Sequence, residues 1–171
     1  MQDNLIEYQE EYLQRLDHFR DSIMTFEEQL VNLPGSYGDP TNPGQSEDAN
    51  KINPLEHTFA GGCYIREIFM PKDQLISTGI HKKEHPFFVL KGDVSVLTEN
   101  GIERIKAPYS GVTQPGTKRL IYIHEDTIWT TVHATDKDNV EDVLDDIIAK
   151  DFSDPSVSLE SVKQKLKIKT K

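Results

Sequence analysis

A chain of 171 residues, 36% hydrophobic and 28% charged, suits one compact domain with surface appendages rather than several domains. Its formal charge of -10 excludes a general nucleic-acid binder, because neutralising phosphates takes clustered Lys and Arg. The single cysteine, Cys63, excludes an intramolecular disulfide framework and reads as a buried free thiol in a reducing compartment. No apolar run approaches the ~18 residues of a membrane helix, and the N-terminal stretch is acidic and polar. Neither a membrane span nor a signal peptide is expected, and the expected location is cytoplasmic.

Residues 4–33 are predicted to form one long helix. Leu5, Tyr8, Tyr12, Leu16, Phe19, Ile23, Phe26, Leu30 and Leu33 recur at steps of three and four, a heptad seam with one extra residue between Tyr12 and Leu16. Pro34-Gly35 ends it. Two readings stay open: a helix lying on its own domain, or a coiled coil joining copies into a homo-oligomer. Residues 34–54 carry four prolines and three glycines, which predicts a linker without regular structure.

Residues 55–135 have an all-β rhythm, with strands expected at 56–60, 63–70, 74–81, 86–91, 94–98, 102–106, 117–123 and 128–134. Turns are expected at Pro71-Lys72-Asp73 and Glu99-Asn100-Gly101. Short strands at this spacing suggest a sandwich or small barrel, and eight of them fit a jelly roll. Residues 138–150 read as an amphipathic helix with Val140, Val143, Leu144, Ile147 and Ile148 on its apolar face. Asp154-Pro155 breaks it, Ser158 to Leu166 adds a short helix, and a frayed lysine-rich tail follows.

Within the β region, Gly79-Ile-His-Lys-Lys-Glu-His-Pro-Phe-Phe-Val-Leu-Lys-Gly92 sets His81 and His85 four residues apart, able to point the same way on extended backbone. A second stretch, Gly111-Val-Thr-Gln-Pro-Gly-Thr-Lys-Arg119, holds two glycines and a proline and ends on Arg119. Together they resemble the two motifs of the cupin superfamily, a jelly-roll barrel. In that comparison Gly79 stands where the first metal-binding His would be, and His81 matches the second. His85 takes the place of the Glu, Arg119 that of the third His, and Ile123 that of the Asn. A permanent cation at a ligand position repels a divalent metal and attracts an anion.

A replacement ligand is His133. Leu120 to His133 reads as a hairpin turning at Glu125-Asp126-Thr127, with His124 at the turn and His133 beside residues 118–119. His124 and His133 then lie too far apart to share a metal. A three-residue loop sets His133 with Arg119 on the inner face; a two-residue loop turns it outward. His81, His85 and His133 are therefore the candidate ligands for a divalent metal of unknown identity, against hydrogen-bonded histidines in a relict pocket. Arg119, Tyr122 and Trp129 are the candidate ligand-binding residues, with Tyr122 and Trp129 expected to face each other across the hairpin. Glu84 reads as solvated, and His18 and His57 as structural. The run from Leu55 to Thr135 also looks like small cupin-like proteins encoded by tailed bacteriophages. That resemblance implies a host-cytoplasm or virion location and viral structural proteins as partners. Two functions compete: a cupin-like protein binding a divalent metal or small anion in its barrel, of uncertain catalytic activity, and a virion or assembly protein with a degenerate barrel.

Overall fold

The computed structural model describes residues 2–37 and 47–169. The fold is mainly β, an antiparallel barrel with a long N-terminal helix and short C-terminal ones. Helix α1 spans Gln2–Val31 and α2 spans Glu47–Ile52. Strands β1 (Leu55–Ala60), β2 (Cys63–Met70), β3 (Leu75–Ser77), β4 (Ile80–His81), β5 (His85–Thr98), β6 (Gly101–Lys106), β7 (Tyr109–Thr113) and β8 (Leu120–Ala134) follow. The chain then forms α3 (Val140–Ile147), β9 (Ile148–Ala149) and α4 (Leu159–Lys169).

Two long strands organise the barrel. The first half of β5 pairs with β7 and the second with β6, while β8 runs antiparallel to β5 almost throughout. On its other side β8 pairs with β3 at residues 120–122 and with β2 at residues 127–134. The outer strand β1 completes the order β1-β2-β8-β5-β6. Inward residues interlock as one core that includes Ile68, Met70, Val89, Val94, Val96, Ile121 and Ile123. Burying apolar side chains at roughly 1.5–3 kcal/mol each is the main force closing the barrel.

Four expectations are corrected. The hairpin at residues 125–127 does not exist, because β8 is continuous, pairing with β5 along one edge and with β3 and then β2 along the other. Gly92 does not end a strand: with φ +106 it sits in a run of register shifts between Val89 and Val94, so β5 bulges and continues. That shift lets His85, Phe87 and Val89 face inward before it, and Val94 and Val96 after it. The segment expected as one strand at 74–81 is split, β3 joining the barrel and β4 pairing with β9. Residues 109–113, read as connection, form β7.

Part of the expected linker, residues 38–46, lies outside the described residues. Of the remainder, residues 47–52 are helical, and Asn53 donates to the Phe69 carbonyl and to Gln74. In the C-terminal region, Asn139 caps α3 by accepting from the Asp142 amide at 2.9 Å. Val143 and Ile147 pack against Tyr64, with Val140, Leu144 and Ile148 around them, the apolar face expected from the sequence.

Helix α1 lies on its own barrel. Leu16, Arg20, Ile23 and Glu27 are buried at helical spacing, whereas the seam residues Tyr8, Phe26 and Leu33 are exposed. Glu27 accepts from the Lys118 ammonium at 2.6 Å and from the Ser77 hydroxyl at 2.5 Å, and Lys118 also donates to the Thr78 carbonyl at 2.7 Å. The Arg20 guanidinium rests 4.4 Å from the centre of the Phe152 ring. Two polar residues thus occupy the buried stripe, which a search for apolar heptads cannot find.

A histidine and arginine cavity inside the barrel

The strand register sorts the barrel interior into layers. Tyr64 pairs with His133, Arg66 with Thr131, Ile68 with Trp129 and Met70 with Thr127, while Phe87 and Val89 of β5 lie opposite Thr131 and Trp129. One end is therefore imidazole, the next layer is cationic, and the layers beyond are aromatic and aliphatic. Helix α3, packed on Tyr64, closes the imidazole end.

His81, His85 and His133 come together there. Their ring centres are 4.4 Å apart for His81 and His85, 4.1 Å for His85 and His133, and 6.2 Å for His81 and His133. His85 Nδ1 is 3.1 Å from the Lys83 carbonyl, which accepts only from N–H and so leaves Nε2 with its lone pair. That Nε2, together with Nδ1 of His81 and of His133, is buried without a hydrogen-bond partner among the described residues. Burial holds all three rings neutral at ordinary pH: His85 falls to about 4, His133 to about 3, and His81 well below its usual range. Positive neighbours deepen the effect for each ring, Arg119 for His81 and His85 and Arg66 for His81 and His133.

Arg119 is 7% exposed. Its guanidinium donates to the Thr113 hydroxyl at 2.8 Å and lies 5.2 Å from the centre of the Phe87 ring and 5.9 Å from that of Trp129. Burial lowers it to about 10, so it stays charged at neutral pH. Arg66 is partly buried, points inward from β2, and is likewise lowered by burial. Among the described residues neither arginine forms an ion pair with a carboxylate. Arg66, Arg119, His81, His133, Trp129 and Thr131 line a cavity of about 480 Å³ that continues past Ile68 and Met70 to the C-terminal end of α1. Glu27 also reaches this cavity, but Lys118 already neutralises it.

The sequence candidates divide accordingly. His81, His85, His133, Arg119 and Trp129 share the barrel interior. Trp129 does not face Tyr122; it stacks on Phe87, ring centres 4.6 Å apart and planes 7° from parallel. Tyr122 is a correction: even-numbered residues at that end of β8 face outward, and Tyr122 is 39% exposed, edge-on to His124. His124 is on the outer face too, 2.8 Å from both Ser95 Oγ and an Arg104 nitrogen. Glu84 is exposed, and His57 Nδ1 meets the Tyr64 hydroxyl at 2.7 Å. Arg66 was missed, although the alternation Tyr64-Arg66-Ile68-Met70 marks it as a charge on the inward face of a strand.

Among the described residues, no group of three or more His, Cys, Asp or Glu side chains is arranged to hold a metal ion. The histidine trio offers three imidazole nitrogens, but their rings are not arranged around a common point, and two guanidinium groups that repel a cation share the cavity. As they stand, these residues do not fit a divalent cation.

No protein-family model and no curated relative matches the sequence. Similar solved structures include the Cnp3 cupin domain of Schizosaccharomyces pombe, at 18% identity and TM-score 0.43 over 49% of this chain and 61% of that one. The alignment thus spans less than two thirds of that domain. A cupin 2 domain-containing protein from Halorhodospira halophila aligns at 13% identity and TM-score 0.45, over 57% of this chain and 72% of that one. A cupin-2 domain-containing protein from Shewanella frigidimarina aligns at 9% and 0.40, over 47% and 78%. Likeness at this level does not reach the chemistry of a site. Among the described residues no helix is long and apolar enough to cross a membrane.

Proposed function

We propose that this cupin-like protein binds a small anion inside its barrel, with Arg66 and Arg119 as charge partners and His81 and His133 as hydrogen-bond donors. The observation that carries this reading is the pair of inward arginines that have no carboxylate partner among the described residues. A buried guanidinium is costly unless paired, and a carboxylate or phosphate is the partner its planar fork fits. Each neutral imidazole has one N–H to donate; His85 spends its own on the Lys83 carbonyl, which leaves His81 and His133 as the rings able to donate to such an anion.

Three unpaired imidazole nitrogens support a second reading, a divalent metal at His81, His85 and His133. It requires the rings to turn from the arrangement seen. Metal analysis of the purified protein, followed by calorimetric titration with phosphate and acetate, separates the two. Anion binding that weakens at least tenfold in Arg66→Met and Arg119→Met, without stoichiometric metal, supports the first. Stoichiometric metal lost in His85→Ala but not in His124→Ala would replace it with the second. The likeness to phage-encoded proteins keeps a virion or assembly role as the alternative, supported by exposed Ile6 and Tyr8 on α1.

A further inference from the structure

We propose that the ligand is an amphipathic organic acid, its anionic head at Arg66 and Arg119 and its apolar body running along the barrel towards the end of α1. The proposal rests on the anion reading above and adds the nature of the rest of the molecule. Its first ground is size. A cavity of about 480 Å³ falls within the roughly 300–1,000 Å³ of sites that enclose organic ligands. A bare inorganic anion, comparable to a few waters of about 30 Å³ each, would leave most of that space unfilled.

The second ground is order along the cavity. Beyond the arginine layer its walls are Ile68, Trp129 and Met70, then Ile76 and Ile121, with Leu30 and Val31 of α1 at the far end. The strand register makes this a one-way gradient, since Arg66 pairs with Thr131 and Ile68 with Trp129 one layer on. Cationic charge is thus gathered at the end closed by α3, whereas the polar residues nearer α1, among them Glu27, Ser77, Asn53 and Gln74, bond to one another or to Lys118. A dianion with charges at both ends would set one of them against aliphatic walls. A neutral apolar molecule would leave both arginines without a counter-charge.

The third ground is the mouth. Leu33, Tyr37 and Leu75, also lining the cavity, are 56%, 41% and 41% exposed, an apolar rim where solvent would favour polar residues. Tyr37 is held to Gln74, and Gln74 to Asn53 at 2.8 Å, so the segment after α1 is pinned over this opening. A ligand tail emerging here finds apolar contacts supplied by α1 itself. The long helix is accordingly part of the binding site.

The test is calorimetric titration of the full chain with acetate, butyrate, hexanoate and octanoate, with phosphate and 1-octanol as controls. Affinity should rise roughly fourfold for each methylene added until the cavity is filled. Octanoate should exceed octanol by at least tenfold, and that advantage should vanish in Arg119→Met. Acids or phosphate that bind with no dependence on chain length would overturn the amphipathic ligand and leave the anion reading standing. Octanol binding as tightly as octanoate would overturn the anion reading itself. Failure of every probe to bind would overturn both.

Discussion

Thr127 leaves no room for a side chain at Gly92. A Cβ built there would lie 2.1 Å from Thr127 Oγ1 and 2.7 Å from Thr127 Cα, and the backbone already sits at φ +106. Gly101 has almost the same φ, +104, but open space around it. Both Ala substitutions incur the left-handed backbone cost, about 1–3 kcal/mol, and only Gly92→Ala adds overpacking of about 1–3 kcal/mol. Urea unfolding should therefore show Gly92→Ala clearly less stable than Gly101→Ala; equal losses would mean that the bulge yields. The buried imidazoles make a second prediction at this scale. Their pKa values, about 4 for His85 and about 3 for His133, lie below the ordinary value near 6.5, so the unfolded chain takes up protons that the folded chain refuses. Stability is then full above about pH 6.5 and is lost as pH falls from there towards 4 and 3, by several kcal/mol in total. The urea midpoint should drop between pH 7.5 and 5, and His133→Asn should flatten that drop. An unchanged slope in the variant would place its source elsewhere.

Helix α1 is fastened by the buried Glu27–Lys118 pair, with side chains 6% and 3% exposed. Removing one partner leaves an uncompensated charge, so Lys118→Met should cost about 3–5 kcal/mol while Lys118→Met with Glu27→Leu recovers most of it. A double-mutant cycle measures this, and additive losses would mean the two charges do not act as a pair. The same pair explains what the sequence concealed. Heptad counting found α1 as a helix but placed Phe26 on its seam, because the buried positions include Arg20 and Glu27. Alternation found β2 and the inward histidines, since period two survives wherever one face is buried. It broke β5 and β8 in two, because Gly92 and Glu125-Asp126 look like turns when the partner strand on each side is unknown. The same blindness to partners hid Arg66, whose meaning depends on Arg119 sharing its cavity from more than fifty residues away.

At the scale of the whole molecule, the docked half of α1 changes what truncation can do. Residues 16–27 supply the buried stripe, and Leu30 and Val31 line the cavity, so a chain lacking residues 1–33 would lose both and expose Lys118. The earlier part of the helix differs: Ile6 is 51% and Tyr8 61% exposed, with no buried residue before Leu16 among those whose side chains are described. A helix with exposed large apolar side chains is stabilised by a second helix that covers them, each such side chain buried contributing roughly 1.5–3 kcal/mol. We propose that this N-terminal half joins copies of the chain into a homo-oligomer. Deletion of residues 1–12 should then lower the sedimentation-derived mass while the thermal melt of the barrel moves by only a few degrees. If both forms sediment as monomers, or both as the same oligomer, this half of the helix is not the assembly element.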